Sequence, residues 1–129
     1  MNKQGDFAQK RFNFRAEANY PFWYRKIPQG AAGHQEGDWQ YSSTLNLSAG
    51  GAAVPMDVQG LGPGDLIEFE LVIPGGPVFG IGEVVRLLTK GNGKAQAAVM
   101  FVSVATKDRD RIAQVVLTDG LERHHGEVK

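Results

Sequence analysis

An all-β domain of about six short antiparallel strands, completed by a C-terminal α-helix, is the fold that the sequence predicts. Along several segments of the 129-residue chain, apolar and polar side chains alternate, which indicates strands with one buried face. Clusters of glycine and proline separate these segments at short intervals. Near the C-terminus the apolar period changes from two to that of a helix. Short strands at this spacing are typical of a barrel or a sandwich.

The first predicted strand has an apolar residue at every even position from Phe12 to Tyr24. Pro21 removes a backbone donor, so we expect the end of this strand at an edge or a bend of the sheet. Arg11 and Arg15 fall on odd positions. An extended backbone therefore turns both arginine side chains away from the apolar stripe.

Five more strands are predicted between residues 39 and 104. Lys26–Asp38, rich in glycine, proline, glutamine and alanine, is predicted to be a surface loop before them. Lys90-Gly91-Asn92-Gly93 is a strong hairpin signal between the last two strands. The five predicted strands are Trp39–Leu47, Ala52–Met56, Leu66–Ile73, Val78–Leu88 and Ala95–Val104.

Thr106 and Asp108 indicate the start of the helix, and Ile112, Val115 and Val116 lie along one helical face. Gly120 is the predicted stop, and His124–Lys129 the predicted frayed tail. The chain length fits a single domain covering residues 1–129. We expect a mobile N-terminal arm at residues 1–10, the strands at about 11–104 and the helix at about 106–121.

The charge balance favours a local anion site over an extended nucleic-acid surface. The chain has 14 basic and 14 acidic side chains and a net charge of zero. Binders of duplex DNA usually carry a basic excess, because phosphate neutralisation supplies much of their affinity. The first sixteen residues, in contrast, contain four basic side chains and a single acidic one, Asp6; the basic residues are Lys3, Lys10, Arg11 and Arg15.

The sequence also indicates a cytoplasmic location. It has no cysteine, so a disulfide framework and a thiolate metal site are excluded. The N-terminus lacks the apolar segment of a signal peptide. Glycine and proline interrupt every apolar stretch well short of a membrane span, so no membrane insertion is expected.

Two short polar motifs follow one another in the chain. Arg11 and Arg15 form an RxxxR pair, and Asn46, Ser48 and Gly51 form NxSxxG. Arginine forks bond phosphate oxygens or the guanine edge, and their flat faces stack on bases. Each motif has a purely structural explanation as well. The arginine pair could be the solvated face of a strand, and asparagine, serine and glycine are ordinary turn residues.

Taken together, in this order and ahead of several short strands, the two motifs resemble those of the PilZ domain, a small bacterial β-barrel that binds cyclic di-GMP. The resemblance extends over roughly Gln9–Leu117. Further similar segments are Pro63-Gly64-Asp65 before a strand, Gly82-Glu83-Val84-Val85-Arg86, and Ala98-Val99-Met100-Phe101 before the helix. The resemblance implies a stand-alone, single-domain member with a six-stranded antiparallel PilZ-type β-barrel and a C-terminal α-helix.

The resemblance also implies the ligand-binding residues. Arg11 and Arg15 match the arginines that grip phosphate and guanine, and Asn46, Ser48 and Gly51 match the turn on the barrel surface. Further candidates are Lys10, Gly50 and Arg86. Many relatives have an arginine where this chain has Lys10, at a position linked to binding one ligand or a stacked pair. Some relatives have a tryptophan near a guanine where this chain has Arg86.

The expected function is that of a cyclic di-GMP receptor and adaptor, which passes the signal to an unidentified protein in motility, biofilm or polysaccharide control. No enzyme is expected, because Ser48 has no evident base partner. No cofactor or metal is expected, since the histidines lack a ligand spacing. Two alternatives stay open: an adaptor of the same fold that binds no nucleotide, and a small barrel that binds single-stranded nucleic acid on aromatic side chains, against which the neutral charge and the burial pattern of those aromatics weigh. The aromatics in question are Phe12, Phe14, Phe22, Trp23 and Tyr24.

Overall fold

The computed structural model describes residues 19–28, 38–57, 60–89, 91 and 93–128, with residues 120–128 described by their backbone alone. Seven strands and one helix make up this part of the chain. In chain order they are β1 (Pro21–Lys26), β2 (Gln40–Ser43), β3 (Asn46–Ser48), β4 (Gly51–Asp57), β5 (Leu66–Ile73), β6 (Gly76–Thr89), β7 (Lys94–Val104) and α1 (Thr106–Val128).

All seven strands belong to one antiparallel sheet in the order β2-β1-β5-β6-β7-β4-β3. The two edge strands, β2 and β3, are separated in the chain by Thr44 and Leu45 only. The sheet must therefore curl until its two edges approach each other. The Ser42 hydroxyl donates a hydrogen bond of 2.7 Å to the carbonyl of Pro55, which links β2 to β4 across this junction. The result is a half-barrel with one C-terminal helix, and it confirms the predicted fold class.

The sheet has seven strands and not six, because the predicted strand Trp39–Leu47 is divided at Thr44. Thr44 is fully buried, and its backbone N–H donates to the Tyr20 carbonyl over 2.9 Å. Its hydroxyl accepts a hydrogen bond of 2.9 Å from the Tyr20 N–H. These contacts hold the chain where it passes from one edge of the sheet to the other.

The strand bounds follow the predictions closely from β5 onward. Strand β5 has the predicted limits, and β6 and β7 extend the predicted strands by a few residues. The predicted first strand is described only in its C-terminal part, since residues 12–18 lie outside the described residues. Pro21 is the first residue of β1 and pairs only with β2, so its missing N–H removes no hydrogen bond to β5.

The core lies on the concave face of the sheet and beneath the helix. Three phenylalanine rings form its centre. The ring centroids of Phe22 and Phe69 are 5.4 Å apart, and those of Phe69 and Phe101 are 4.8 Å apart. Tyr24 is also buried, and burial raises the pKa of its phenol, although its hydrogen bond from the Asp57 N–H acts in the opposite direction. Aliphatic residues of β3 to β7 complete the core: Leu47, Val54, Met56, Ile67, Leu71, Ile73, Val78, Val84 and Val99.

Helix α1 packs its apolar face on this core through Ile112 and Val116, as the sequence predicts. The Arg111 guanidinium donates a 2.7 Å hydrogen bond to the carbonyl of Gly76, which joins the helix to the β5–β6 hairpin. The helix continues through Gly120, the predicted stop, to Val128. Glycine costs only about 1 kcal/mol in a helix interior, and no proline follows to end the helix. Within the described residues, no helix has the length and apolar character needed to cross a membrane.

Candidate functional site

The NxSxxG motif forms the β3–β4 hairpin. Asn46 and Ser48 lie in β3, Ala49 and Gly50 form the two-residue turn, and Gly51 begins β4 opposite Ser48. The buried Ser48 hydroxyl accepts a hydrogen bond from the Gly50 N–H and donates one to the Gly51 carbonyl, both at 3.3 Å. Ser48 thus stabilises the turn that exposes Gly50.

The two glycines of the turn have different surroundings. A Cβ on Gly51 would collide with the Val99 carbonyl oxygen and lie 3.3 Å from the Met100 Cα. Only glycine therefore allows β4 to pair with β7 at this point. A Cβ on Gly50 would meet no atom within 4 Å. Gly51 has a structural reason for its identity, whereas the surface at Gly50 is open to a ligand.

Strand register aligns Asn46 with Arg86 on the convex face of the sheet. Asn46 pairs with Ala53, Ala53 with Ala98, and Ala98 with Arg86. Paired residues of neighbouring strands share a face. Three strand spacings separate the ends of this row by about 14 Å. The two alanines between the polar ends leave a shallow floor, which the alternation of single strands does not reveal.

Met100 continues this convex face next to the turn. It pairs with Gly51 and is 45% exposed. A flexible, polarisable thioether at such a position offers contact to a flat aromatic ligand. The sequence pattern assigns Met100 to a strand but gives no signal that it lies beside the NxSxxG turn.

The described end of the N-terminal segment is hydrogen-bonded to the connection between β2 and β3. The Asn19 side-chain amide donates to the Thr44 carbonyl over 2.7 Å, and Tyr20 bonds Thr44 as described above. Thr44 is two residues before Asn46 in the chain. The predicted ligand-binding residues Lys10, Arg11 and Arg15 lie outside the described residues.

Arg109 is a residue at the site that the sequence analysis missed. Its guanidinium extends from the first turns of α1 and donates a 3.2 Å hydrogen bond to the carbonyl of Ala49, inside the hairpin turn. The contact joins residues 60 positions apart. No local pattern indicates it, because it depends on how the helix packs beside β3.

Of the aromatic residues considered for nucleic-acid stacking, Phe12 and Phe14 lie outside the described residues, and the other three differ in exposure. Phe22 and Tyr24 are buried in the core, so they offer no stacking surface. Trp23 lies on the convex face and is partly exposed. Within the described ranges, no group of three or more histidine, aspartate or glutamate side chains comes together in a way that could hold a metal ion.

Comparisons with known proteins agree with this fold. The PilZ domain family model matches residues 9–118. The inhibitor of motility MotI/DgrA of Bacillus subtilis has a similar structure, with 18% identity and a TM-score of 0.68, over 84% of this chain and 50% of that one. The chain thus spans about half the length of that protein. No curated protein sequence matches significantly.

Two further similar structures were solved with cyclic di-GMP. The PilZ domain with c-di-GMP of YcgR from Escherichia coli is 15% identical, with a TM-score of 0.61, over 94% of this chain and 99% of that chain. The MrkH–c-di-GMP complex of K. pneumonia is 16% identical, with a TM-score of 0.64, over 89% and 53% of the two chains. At these identities the structural likeness shows the fold. Because the family model covers most of the chain, the protein belongs to the PilZ domain family.

Proposed function

We propose that this protein is a cyclic di-GMP receptor that acts as an adaptor for a protein partner. The observation that carries the proposal is the contact of Asn19 and Tyr20, at the end of the N-terminal segment, with Thr44, which lies just before β3. Thr44 is two residues before Asn46, so the chain that follows RxxxR is held near the start of the NxSxxG motif. Family membership and the likeness to the YcgR and MrkH structures with cyclic di-GMP support the same ligand.

Covalent geometry limits how far Arg15 lies from the hairpin. Arg15 lies four positions before Asn19, and an extended chain over four positions spans at most about 14 Å. Asn19 itself is hydrogen-bonded to the residue two positions before Asn46. An arginine side chain adds several ångströms of reach, so its guanidinium can approach a ligand seated on the hairpin.

The ligand offers two phosphodiester charges and two guanines, which suit this set of side chains. In the proposed site Arg11 and Arg15 bind phosphate oxygens and the guanine edge, with Lys10 adding a further positive charge. Asn46 bonds a guanine edge, and the exposed turn at Gly50 lets the ligand approach the backbone. Ser48 and Gly51 contribute by holding the shape of the turn.

Arg86 belongs to the proposed site because it shares the cross-strand row of Asn46. It is exposed at an irregularity of β6, between the pairings of Val84 and Arg86 with β7. A guanidinium there can stack on a guanine that rests on the alanine floor. It is separated from Asn46 by three strand spacings, about 14 Å.

Ligand binding would change the surface that a partner meets. Phosphates held by Lys10, Arg11 and Arg15 fix the N-terminal segment against the β3–β4 hairpin. A partner that binds this arrangement more tightly than the ligand-free one then binds preferentially to the ligand-bound protein. The size of this preference is set by the difference between its two affinities. The likeness to a motility inhibitor makes motility control one candidate pathway, beside biofilm and polysaccharide control.

Calorimetric titration with cyclic di-GMP tests the proposal. We expect saturable binding to the wild-type chain and a loss of at least about tenfold in affinity for Arg15→Ala, since a charge-assisted hydrogen bond contributes about 1.5–3 kcal/mol. Arg123→Ala, outside the family match, is the matched control and should bind normally. The measured stoichiometry distinguishes one bound ligand from a stacked pair.

A folded wild-type chain that gives no binding would refute the receptor proposal and favour the nucleotide-independent adaptor. A steep salt dependence of binding to single-stranded nucleic acid would instead favour the third alternative. Equal affinities of Arg15→Ala and Arg123→Ala would show that the ligand binds elsewhere.

A further inference from the structure

We infer that the convex face of β2, β1, β5 and β6 binds an arginine-containing basic segment of a partner protein. The face lies on strands other than those carrying the NxSxxG turn. The inference takes from the proposed function only that the output is a protein contact. We call this surface the aromatic face and define it by Trp23, Trp39, Tyr41 and Phe79, with Arg25, Glu68 and Glu70 between them.

Strand register arranges the aromatic face in two parallel rows. One row runs through Tyr41, Trp23, Glu70 and Phe79, which pair successively from β2 to β6. The other contains Arg25, Glu68 and Ile81, with Trp39 beside Arg25. All four aromatic side chains are more than a third exposed, and Phe79 reaches 60%.

The second row shows how this face holds a guanidinium. Arg25 lies over the ring of Trp39 at 4.4 Å and donates to Glu68 over 2.6 Å. Stacking on an aromatic face and pairing with a carboxylate are the two interactions that arginine combines best. The chain thus provides its own example of arginine bound between a tryptophan and a glutamate.

The first row has the same components without an arginine. Glu70 is half-buried between Trp23 on β1 and Phe79 on β6. Within the described part of the chain, the Glu70 carboxylate makes no hydrogen bond or ion pair. A guanidinium from outside would find there an acceptor carboxylate flanked by aromatic rings.

The charge of the surrounding surface selects the same partner. Glu68, Glu70 and Glu83 alternate with core residues on β5 and β6 and so lie on the convex face. Arg25 lies among them and is already paired with Glu68, whereas Arg86 lies three residues beyond Glu83 on β6. The Glu70 carboxylate between the aromatic rings therefore remains to attract a basic segment and repel an acidic one.

An open pocket adjoins the two rows and can accept a neighbouring side chain of the same segment. Its volume is about 330 Å³, and its walls include Trp39, Glu68, Phe79, Ile81 and Ser103. Exposed aromatic residues around such a pocket are typical of the residues that dominate binding energy at protein interfaces. The bound segment would thus place an arginine at Glu70 and an adjacent side chain in the pocket.

The chain has two tryptophans, Trp23 and Trp39, and both belong to the aromatic face. Their indole N–H signals in a ¹H–¹⁵N NMR spectrum therefore report on this surface alone. We would titrate the full chain, without cyclic di-GMP, with acetylated and amidated hexa-arginine, hexa-lysine and hexa-glutamate. We expect hexa-arginine to shift both signals saturably, hexa-lysine to bind more weakly because it stacks less well, and hexa-glutamate to have no effect.

Glu70→Gln should weaken hexa-arginine binding by about three- to tenfold, the range between an exposed and a partly buried ion pair. Asp110→Asn makes the same change of charge at an exposed position of α1 and should bind as the wild type does. The rest of the spectrum shows whether each variant is folded. A further variant, Phe79→Ser, should weaken binding without changing the charge.

Three results would overturn the inference: no shift of the indole signals, an equal loss of affinity in Glu70→Gln and Asp110→Asn, or indole shifts that follow protein concentration without peptide. The last would assign the face to a second copy of the chain. Because no nucleotide is present, each of these results leaves the receptor proposal unaffected.

Discussion

Replacing Gly51 by alanine should destabilise the sheet, although the change adds only one methyl group. The new Cβ would collide with the Val99 carbonyl oxygen, which belongs to the backbone of β7 and has no rotamer to change. Strands β4 and β7 would have to separate by about 1 Å to restore an ordinary carbon–oxygen contact. That displacement would break the 2.8 Å hydrogen bond from the Phe101 N–H to the Gly50 carbonyl and strain its neighbours.

The loss of this hydrogen bond and of one neighbouring β4–β7 hydrogen bond, at about 1–2 kcal/mol each, amounts to roughly 2–4 kcal/mol. With a typical urea dependence for a domain of this size, the unfolding midpoint should fall by about 1–2 M. Urea unfolding followed by circular dichroism measures this shift.

Gly50→Ala is the matched control within the same turn. A Cβ at Gly50 would meet open space, and its φ lies outside the left-handed region, so its stability should change by no more than about 0.5 kcal/mol. The proposed site predicts that Gly50→Ala still weakens cyclic di-GMP binding, because the methyl group stands where the ligand approaches. Equal stability of the two variants would refute the close approach of β4 and β7 as the reason for Gly51.

Three other predictions concern the core, the helix and the turn. Burial raises the pKa of Tyr24, so the unfolded chain loses the phenolic proton first, and stability should fall as the pH rises above about 10. Urea unfolding at pH 8 and above pH 10 should show a smaller loss of stability for Tyr24→Phe than for the wild type, and equal losses would contradict this. Ile112→Ala should lower the free energy of unfolding by about 2–5 kcal/mol, because it leaves a cavity under α1, whereas Leu117→Ala, at an exposed position, should change thermal unfolding little. Similar losses for both variants would argue against the observed helix packing. Arg109→Ala should reduce cyclic di-GMP affinity by about two- to fivefold, since a hydrogen bond to the turn is lost, and Arg109→Lys should restore part of the affinity. Unchanged affinity of Arg109→Ala by calorimetry would show that this contact does not position the site.

Local sequence patterns were enough to predict the fold class and several strand bounds. Leu66–Ile73 alternates without interruption, and the structure has β5 at the same limits. The helix face of Ile112 and Val116 was predicted for the same reason, since its period is contained within a few turns. The division of Trp39–Leu47 at Thr44 was not predicted, because it depends on hydrogen bonds to Tyr20 from a distant part of the chain.

The site was predictable only where its signal is local. The NxSxxG letters predict a turn, and the structure has that turn between β3 and β4. The alignment of Asn46 with Arg86 requires the register of four strands, and the contact of Arg109 with Ala49 requires the packing of the helix. Neither is encoded in a short window. The assignment of Arg11 and Arg15 as ligand-binding residues remains a prediction from the resemblance.

The position of the short strands has a consequence for solubility. The sheet ends at β2 and β3, which are four and three residues long, whereas β6 and β7, with fourteen and eleven residues, are paired on both sides. Another chain that adds to an edge would find only a few free backbone groups, so aggregation by strand addition is disfavoured. A substitution that detaches β3 would expose β4, a seven-residue strand with a largely apolar sequence. Damage to this small hairpin should therefore appear first as aggregation and only later as loss of the core.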